Sequence, residues 1–268
     1  MRSSSNRTDA VLIQALATRL DALATEASRA FWERYLKGTV PFRGVPMAAI
    51  RKAVHGWWRD DGPSARAPPA QKGLALRLFE GAFCEDKLAG TLVLQEVLLG
   101  ELTLRDVDTL ASLFDRGLIA DWNTCDWFCV KVLGKLVARD LPTREIADAI
   151  ASWRSARTLW QRRAANVAFV NLAKRGEANF DGFTALMLET CAVTIRSEER
   201  FAQTGVGWLL RELAAADRAV VLAFATEHLG VMSREGVRYV IERMPKTLQA
   251  RVLDAHKQAR GGRRDHRA

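Results

Sequence analysis

A chain of 268 residues with 49% hydrophobic content is long enough to bury a core, and its net charge of +9 requires a basic surface somewhere. No apolar run reaches membrane-spanning length, and Met1-Arg-Ser-Ser-Ser-Asn lacks the apolar stretch of a secretion signal, so a soluble cytoplasmic protein is expected. Arg outnumbers Lys by 31 to 9; a high-GC coding sequence inflates Arg, but it does not explain the positive sign, which suits a polyanionic partner.

Helical spacing dominates from one end to the other. Leu12, Leu16 and Leu20, with Ile13, form the first stripe. Pro46 suits the first turn of a helix. Asp60-Asp-Gly-Pro-Ser-Ala-Arg-Ala-Pro-Pro reads as a surface loop joining two helices. Thr103 to Asp106 resembles a capping box with Asp in place of Glu, and Leu104, Val107, Leu110, Ala111 and Phe114 make the stripe behind it. Val130, Leu133 and Val137, then Leu209, Leu210 and Leu213, continue the pattern. Asp121, Ser197 and Ser233 are expected N-caps. Six of the seven prolines fall in the N-terminal half, between periodic segments, and no sustained period-two alternation occurs.

These signals place helix starts near residues 46, 70, 85, 103, 121, 142, 157, 180, 198, 216 and 233. Every second start from 85 onward is separated by roughly 35–41 residues, close to the period of HEAT-type helix pairs. The expected fold is therefore an all-α, HEAT-like helical-repeat solenoid whose inner helices line a concave surface, with a compact helical bundle as the competing arrangement. One domain over residues 1–268 is expected, with loose tails at 1–8 and 258–268. The latter contains the basic run Arg260-Gly-Gly-Arg-Arg-Asp-His-Arg.

Cys84, Cys125, Cys129 and Cys191 form no C-x-x-C pair and have no His at ligand spacing, so neither a metal nor a cofactor is expected. Cys125 and Cys129 lie one helical turn apart, where two buried thiols are the simpler reading. Unpaired thiols fit a reducing compartment.

The inner-helix series carries the residues with chemical potential. Trp122 and Asp126 are four apart and share a helix face. The next inner helix holds Trp160, Arg162 and Arg163, and the one after it Trp208 and Arg211, three apart. Aromatics interleaved with Arg provide stacking platforms and phosphate clamps. Asp126 repels phosphate, so on a basic surface it costs affinity unless it has another task. Each residue also has an ordinary reading: a Trp packs in a core, an Arg is solvated, an Asp near a helix start complements the dipole. Trp153, ending a helix among apolar neighbours, reads as core. Trp57 and Trp58 have no evident place.

The ordered set Trp122-Asn-Thr-Cys-Asp126, Trp153-x6-Trp160-Gln-Arg-Arg163-Ala-Ala and Gly207-Trp208-Leu-Leu-Arg211-Glu resembles the DNA alkylation repair family of AlkD-like glycosylases. Tyr35-Leu-Lys37-x4-Phe42-x-Gly44 and Met232-Ser-Arg-Glu235 extend the resemblance over roughly residues 30 to 245, motif by motif in the same order. The resemblance implies a HEAT-like fold clasping double-stranded DNA that contains alkylated purines, and excision of cationic N3- and N7-alkylated purines by a monomer. It places the catalytic carboxylate on Asp126 and the groove tryptophans on Trp122 and Trp208. It places DNA contacts on Arg163, Arg211 and Tyr35, with Arg162, Trp160 and Lys37 beside them. Two positions depart from the family pattern: Asn123 stands where an acidic residue is common, and Met47 where a polar one is.

That chemistry suits those residue types. A cationic alkylpurine leaves as a neutral base and needs no strong general acid. Its departure needs stabilisation of an oxocarbenium-like sugar and a positioned water, and one ionised carboxylate supplies both. The resemblance further implies an open groove in which the base need not be swallowed. Two alternatives stay open at this level: a non-catalytic HEAT-like binder of distorted or branched DNA, and a helical protein-interaction scaffold.

Overall fold

The computed structural model describes residues 7–139 and 143–265, and every regular element among them is helical. The described residues fall into two compact units, divided between Val132 and Leu133.

The first unit contains α1 (Asp9–Asp21), α2 (Glu26–Tyr35), α3 (Met47–Asp60), α4 (Pro68–Leu78), α5 (Cys84–Glu96), α6 (Val107–Asp115) and α7 (Trp122–Phe128). Thr8 and Thr25 start α1 and α2 by accepting the backbone N–H of Val11 and Ser28 on their hydroxyls, satisfying donors that have no partner inside a helix. Leu12, Leu16 and Leu20 are buried as their spacing requires. Trp57 and Trp58, unplaced from sequence, are core residues of α3; the Trp57 indole donates to the Leu12 carbonyl at 2.8 Å, joining α3 to α1. Phe128 of α7 meets Phe79 and Phe114 edge-on, with ring centroids 5.7 and 5.9 Å away. The loop between α3 and α4 contains a single short turn, Pro63–Ala65, and Thr103 and Asp106 form the expected capping box ahead of α6.

The second unit contains α8 (Gly134–Val137), α9 (Thr143–Ala151), α10 (Leu159–Val167), α11 (Val170–Ala173), α12 (Phe183–Thr194), α13 (Arg200–Leu213), α14 (Arg218–His228), α15 (Arg234–Ile241) and α16 (Lys246–Asp265). Here α13 is central, packing on α10, α11, α12 and α15. Its approach to α15 depends on Gly207, where a Cβ atom would sit 2.7 Å from the Tyr239 Cβ and 2.8 Å from the Gly236 carbonyl oxygen. Gln203, also on α13, donates to the carbonyls of Ile195, Ser197 and Val231 and accepts the N–H of Ser233, tying the α13–α15 connections together.

Helices α5, α7, α10, α13 and α15 begin at residues 84, 122, 159, 200 and 234, within two residues of the starts read from sequence. Asp121 and Ser233 cap as expected. Ser197 does not: Glu199 occupies the N-cap of α13, while the Ser197 hydroxyl accepts the Glu199 N–H and donates to its carboxylate. Pro46 is the N-cap of α3 rather than its first helical residue. The basic C-terminal stretch is not a loose tail through residue 265, because α16 extends to Asp265; residues 266–268, and 1–6 of the other expected tail, lie outside the described residues. His256 secures α16 by a hydrogen bond at 2.9 Å to the Met232 carbonyl. No helix among the described residues is long and apolar enough to cross a membrane.

Candidate functional site

In the first unit the site is built on α7. The Asp121 carboxylate caps it with two bonds to Thr124, from the backbone N–H at 2.8 Å and from the hydroxyl at 2.7 Å. With the start fixed, the one-turn separation puts Trp122 and Asp126 on one face, and both are half-buried. Directly after α7, Cys129–Leu133 widens into a π-helical turn, a feature frequent beside functional positions. Cys125 and Cys129 face inward, their sulfurs 3.9 Å apart and wholly buried.

Tyr35 is brought against Trp122, the two rings meeting edge-on at 5.6 Å. It belongs to a larger group that motif spacing did not reveal. Phe31 stacks on Tyr35 at 6.0 Å, and Trp32 stacks on Phe42 at 5.9 Å. Phe31 and Tyr35 remain 50% and 55% exposed, although aromatic rings usually withdraw from water. No residue of α2 is buried, so its i, i+4 pair Phe31–Tyr35 was visible in the sequence but gave no stripe. Lys37 is exposed just beyond α2 and adopts a left-handed conformation with φ 54°.

The Phe42-x-Gly44 segment is held by a buried carboxylate. Glu85, at the start of α5, accepts the backbone N–H groups of Arg43, Gly44 and Val45 at 3.0, 2.8 and 3.0 Å. Gly44 has φ 95°, and a Cβ there would lie 2.3 Å from the Thr25 carbonyl oxygen, so only glycine fits. The Arg43 guanidinium lies 4.3 Å over the Phe83 ring and pairs with Asp86. Burial pushes the Asp86 carboxyl above its ordinary value, against the opposing pull of Arg43.

Between α2, α3, α5 and α7 lies a cavity of about 100 Å³, lined by Trp32, Phe42, Val45, Met47, Ile50, Glu85, Leu88, Asn123 and Trp127. Both positions that depart from the family pattern, Met47 and Asn123, are in its wall. The Asn123 side-chain amide donates to the Cys84 sulfur at 3.6 Å.

In the second unit, Trp208 and Arg211 are half-buried one turn apart on α13. Arg211 bonds Glu212 at 2.9 Å, pairs with Glu242, and sits 5.8 Å over the Tyr239 ring. On α10, Trp160 is half-buried with its ring 5.1 Å from Phe201. Arg162 donates to the carbonyls of Ala156 and Arg157 at 2.8 and 2.7 Å and pairs with Glu199, so its guanidinium braces the start of its own helix.

Arg163 differs from the accessible cation expected. It is only 5% exposed, and its guanidinium donates to the Phe201 carbonyl at 2.8 Å and the Thr204 hydroxyl at 3.2 Å. Other parts of the recognised motifs also have packing duties: Gly207 admits α15, Ser233 caps it, and Glu235 binds Arg200 through two hydrogen bonds. Trp153 is core, as its neighbours suggested. Among the described residues no cluster of His, Cys, Asp and Glu is arranged to hold a metal.

These features define an all-helical repeat protein that presents Trp–Asp and Trp–Arg pairs at helix faces otherwise committed to packing. The model of the DNA alkylation repair enzyme family matches residues 16–244, and the chain belongs to that family. A solved structure described as a predicted DNA alkylation repair enzyme from Enterococcus faecalis has a similar fold, with a TM-score of 0.69 at 18% identity over 83% of this chain and 97% of that one. No curated protein matches the chain. The family makes this a DNA repair protein, with DNA as its partner.

Proposed function

We propose that the protein is a DNA glycosylase that hydrolyses the N-glycosidic bond of cationic N3- and N7-alkylated purines in duplex DNA. The observation that carries this reading is the half-buried pair Trp122 and Asp126 on the capped face of α7, the one carboxylate among the half-buried Trp and Arg side chains of the recognised motifs. A carboxylate there repels DNA phosphate, so its retention calls for a chemical task.

In the proposed reaction the C1′–N bond breaks with its electron pair going to the purine, which leaves neutral because it began as a cation. Asp126 stabilises the positive charge developing on the sugar and orients the water whose oxygen bonds to C1′, the water proton passing to the carboxylate or to solvent. Trp122 lies flat-faced beside that charge, braced by Tyr35, and offers cation–π attraction of about 0.5–2 kcal/mol. Trp208, Arg211, Trp160 and Lys37 are proposed DNA contacts. For Arg162 and Arg163 the hydrogen bonds described above favour a bracing role instead.

The test is release of 7-methylguanine and 3-methyladenine from methylated duplex DNA. Asp126→Asn is nearly isosteric and removes a charge that repels phosphate. It should keep fold and DNA affinity while base release falls by about 10²–10³, the usual cost of losing one preorganised electrostatic group. Full activity in Asp126→Asn would refute the catalytic assignment. DNA binding without base release by the wild type would leave a non-catalytic DNA binder.

A further inference from the structure

The cavity in the first unit has a position and a lining that the catalytic reading leaves unused. Its walls are mostly apolar and aromatic, with two polar groups, the Asn123 amide and the Glu85 carboxylate, which is the usual composition of a small-molecule site. Its volume of about 100 Å³, at the roughly 10–15 Å³ a single water requires, accommodates about seven to ten atoms of water size. That matches a fused two-ring heterocycle. The rim residues Trp32, Met47 and Trp127 are half-buried, whereas Phe42, Val45, Ile50 and Leu88 behind them are buried.

The helix that presents Asp126 also builds this cavity. Asn123 precedes Asp126 by three residues and Trp127 follows it directly. Residues three apart on a helix have Cβ atoms about 5–6 Å apart. A ring bound against Asn123 and Trp127 therefore has its outer edge within one helical turn of the carboxylate, roughly the span of a nucleoside.

We propose that this cavity is a receptor for the purine base: the alkylated base is extruded from the duplex into it, stacks against Trp32 and Trp127, and presents its edge to the Asn123 amide while its sugar stays near Asp126. The proposal rests on the glycosylase reading. Aromatic faces hold any base by stacking and favour a cationic one further. An Asn amide can both donate to and accept from a purine edge. Glu85 places a carboxylate in the wall, which attracts a positively charged ring. The site thus selects by charge and flatness, and it gives the base a destination outside the helical stack.

The test separates the receptor from the chemistry. The full chain is titrated with 7-methylguanosine, a cationic nucleoside, and with neutral guanosine, following tryptophan fluorescence. Saturable quenching is expected, with 7-methylguanosine binding at least threefold tighter. Met47→Phe, which fills the cavity from its half-buried rim, should weaken nucleoside binding at least tenfold with an unchanged melting temperature. Asn123→Ala, which removes the polar reader and retains the rim, should weaken it by a smaller factor and supplies an independent arm if Met47→Phe does not fold. Absence of saturable quenching, or binding that both folded variants retain, overturns the proposal even if the wild type releases bases from DNA. Binding that responds to both variants in a protein that releases no base supports the receptor and refutes the glycosylase.

Discussion

Replacing Arg163 by Ala distinguishes a structural clasp from a phosphate contact. The side chain crosses from α10 to α13, where its guanidinium donates to the Phe201 carbonyl and the Thr204 hydroxyl and lies 5.8 Å over the Phe201 ring. Gly205 keeps the space open, since a Cβ there would be 3.4 Å from the Arg163 Cγ. Hydrogen bonds to a charged group contribute about 1.5–3 kcal/mol each, and a stranded buried acceptor costs about 1–3 kcal/mol. Partial relaxation reduces the sum, so a loss of about 2–4 kcal/mol is expected. For a chain of this size that corresponds to a melting temperature lower by about 5–15 °C. The assays are thermal unfolding and titration of duplex DNA across a salt series. The expected result is a destabilised protein whose dependence of log affinity on log salt keeps the wild-type slope. A variant of unchanged stability whose slope flattens by about one unit would instead mean that Arg163 neutralises a phosphate, and the clasp argument would fail.

Three further outcomes follow from the packing and the charges. Gly207→Ala gains helix propensity but drives a methyl group into Tyr239 and the Gly236 carbonyl, so a net destabilisation of about 1–2 kcal/mol should appear in chemical denaturation. Stability should fall on acidification below about pH 4.5. A hydrogen bond from Arg66 holds Asp9 below its ordinary 3.8, and bonds from Arg243 and Arg211 hold Glu212 below 4.5 despite the larger opposing effect of burial. The unfolded chain therefore takes up protons first, so this stabilisation is complete above those ordinary values and is lost as pH falls through the lower folded ones. Asp86, raised by burial, works in the opposite direction, and a melting temperature constant from pH 6 to pH 3 would contradict the balance. Cys84, whose thiol burial pushes up to about 12, should resist iodoacetamide at pH 8 in the native protein and react once unfolded, as read by mass spectrometry.

Local chemistry by itself settled the helices. Leu12, Leu16 and Leu20 recur at a spacing that buries one face, and Asp121 and Ser233 hold oxygens that satisfy the first free N–H groups of α7 and α15. Such signals depend on residues within one turn of each other, so they survive in the bare sequence. The pairs Trp122–Asp126 and Trp208–Arg211 were legible for the same reason. Ser197 misled because two oxygens stood two residues apart, and the backbone took Glu199 as its cap. Motif spacing could not separate a chemical residue from a packing one. Arg163 and Arg211 look alike in their motifs, yet Arg163 is sealed because the Phe201 carbonyl and the Gly205 gap of another helix meet it. The cavity was equally invisible, because α2, α3, α5 and α7 contribute its walls from positions up to 95 residues apart in sequence, Trp32 to Trp127. Burial and empty space belong to pairs of distant elements, and only the tertiary structure decides which elements meet.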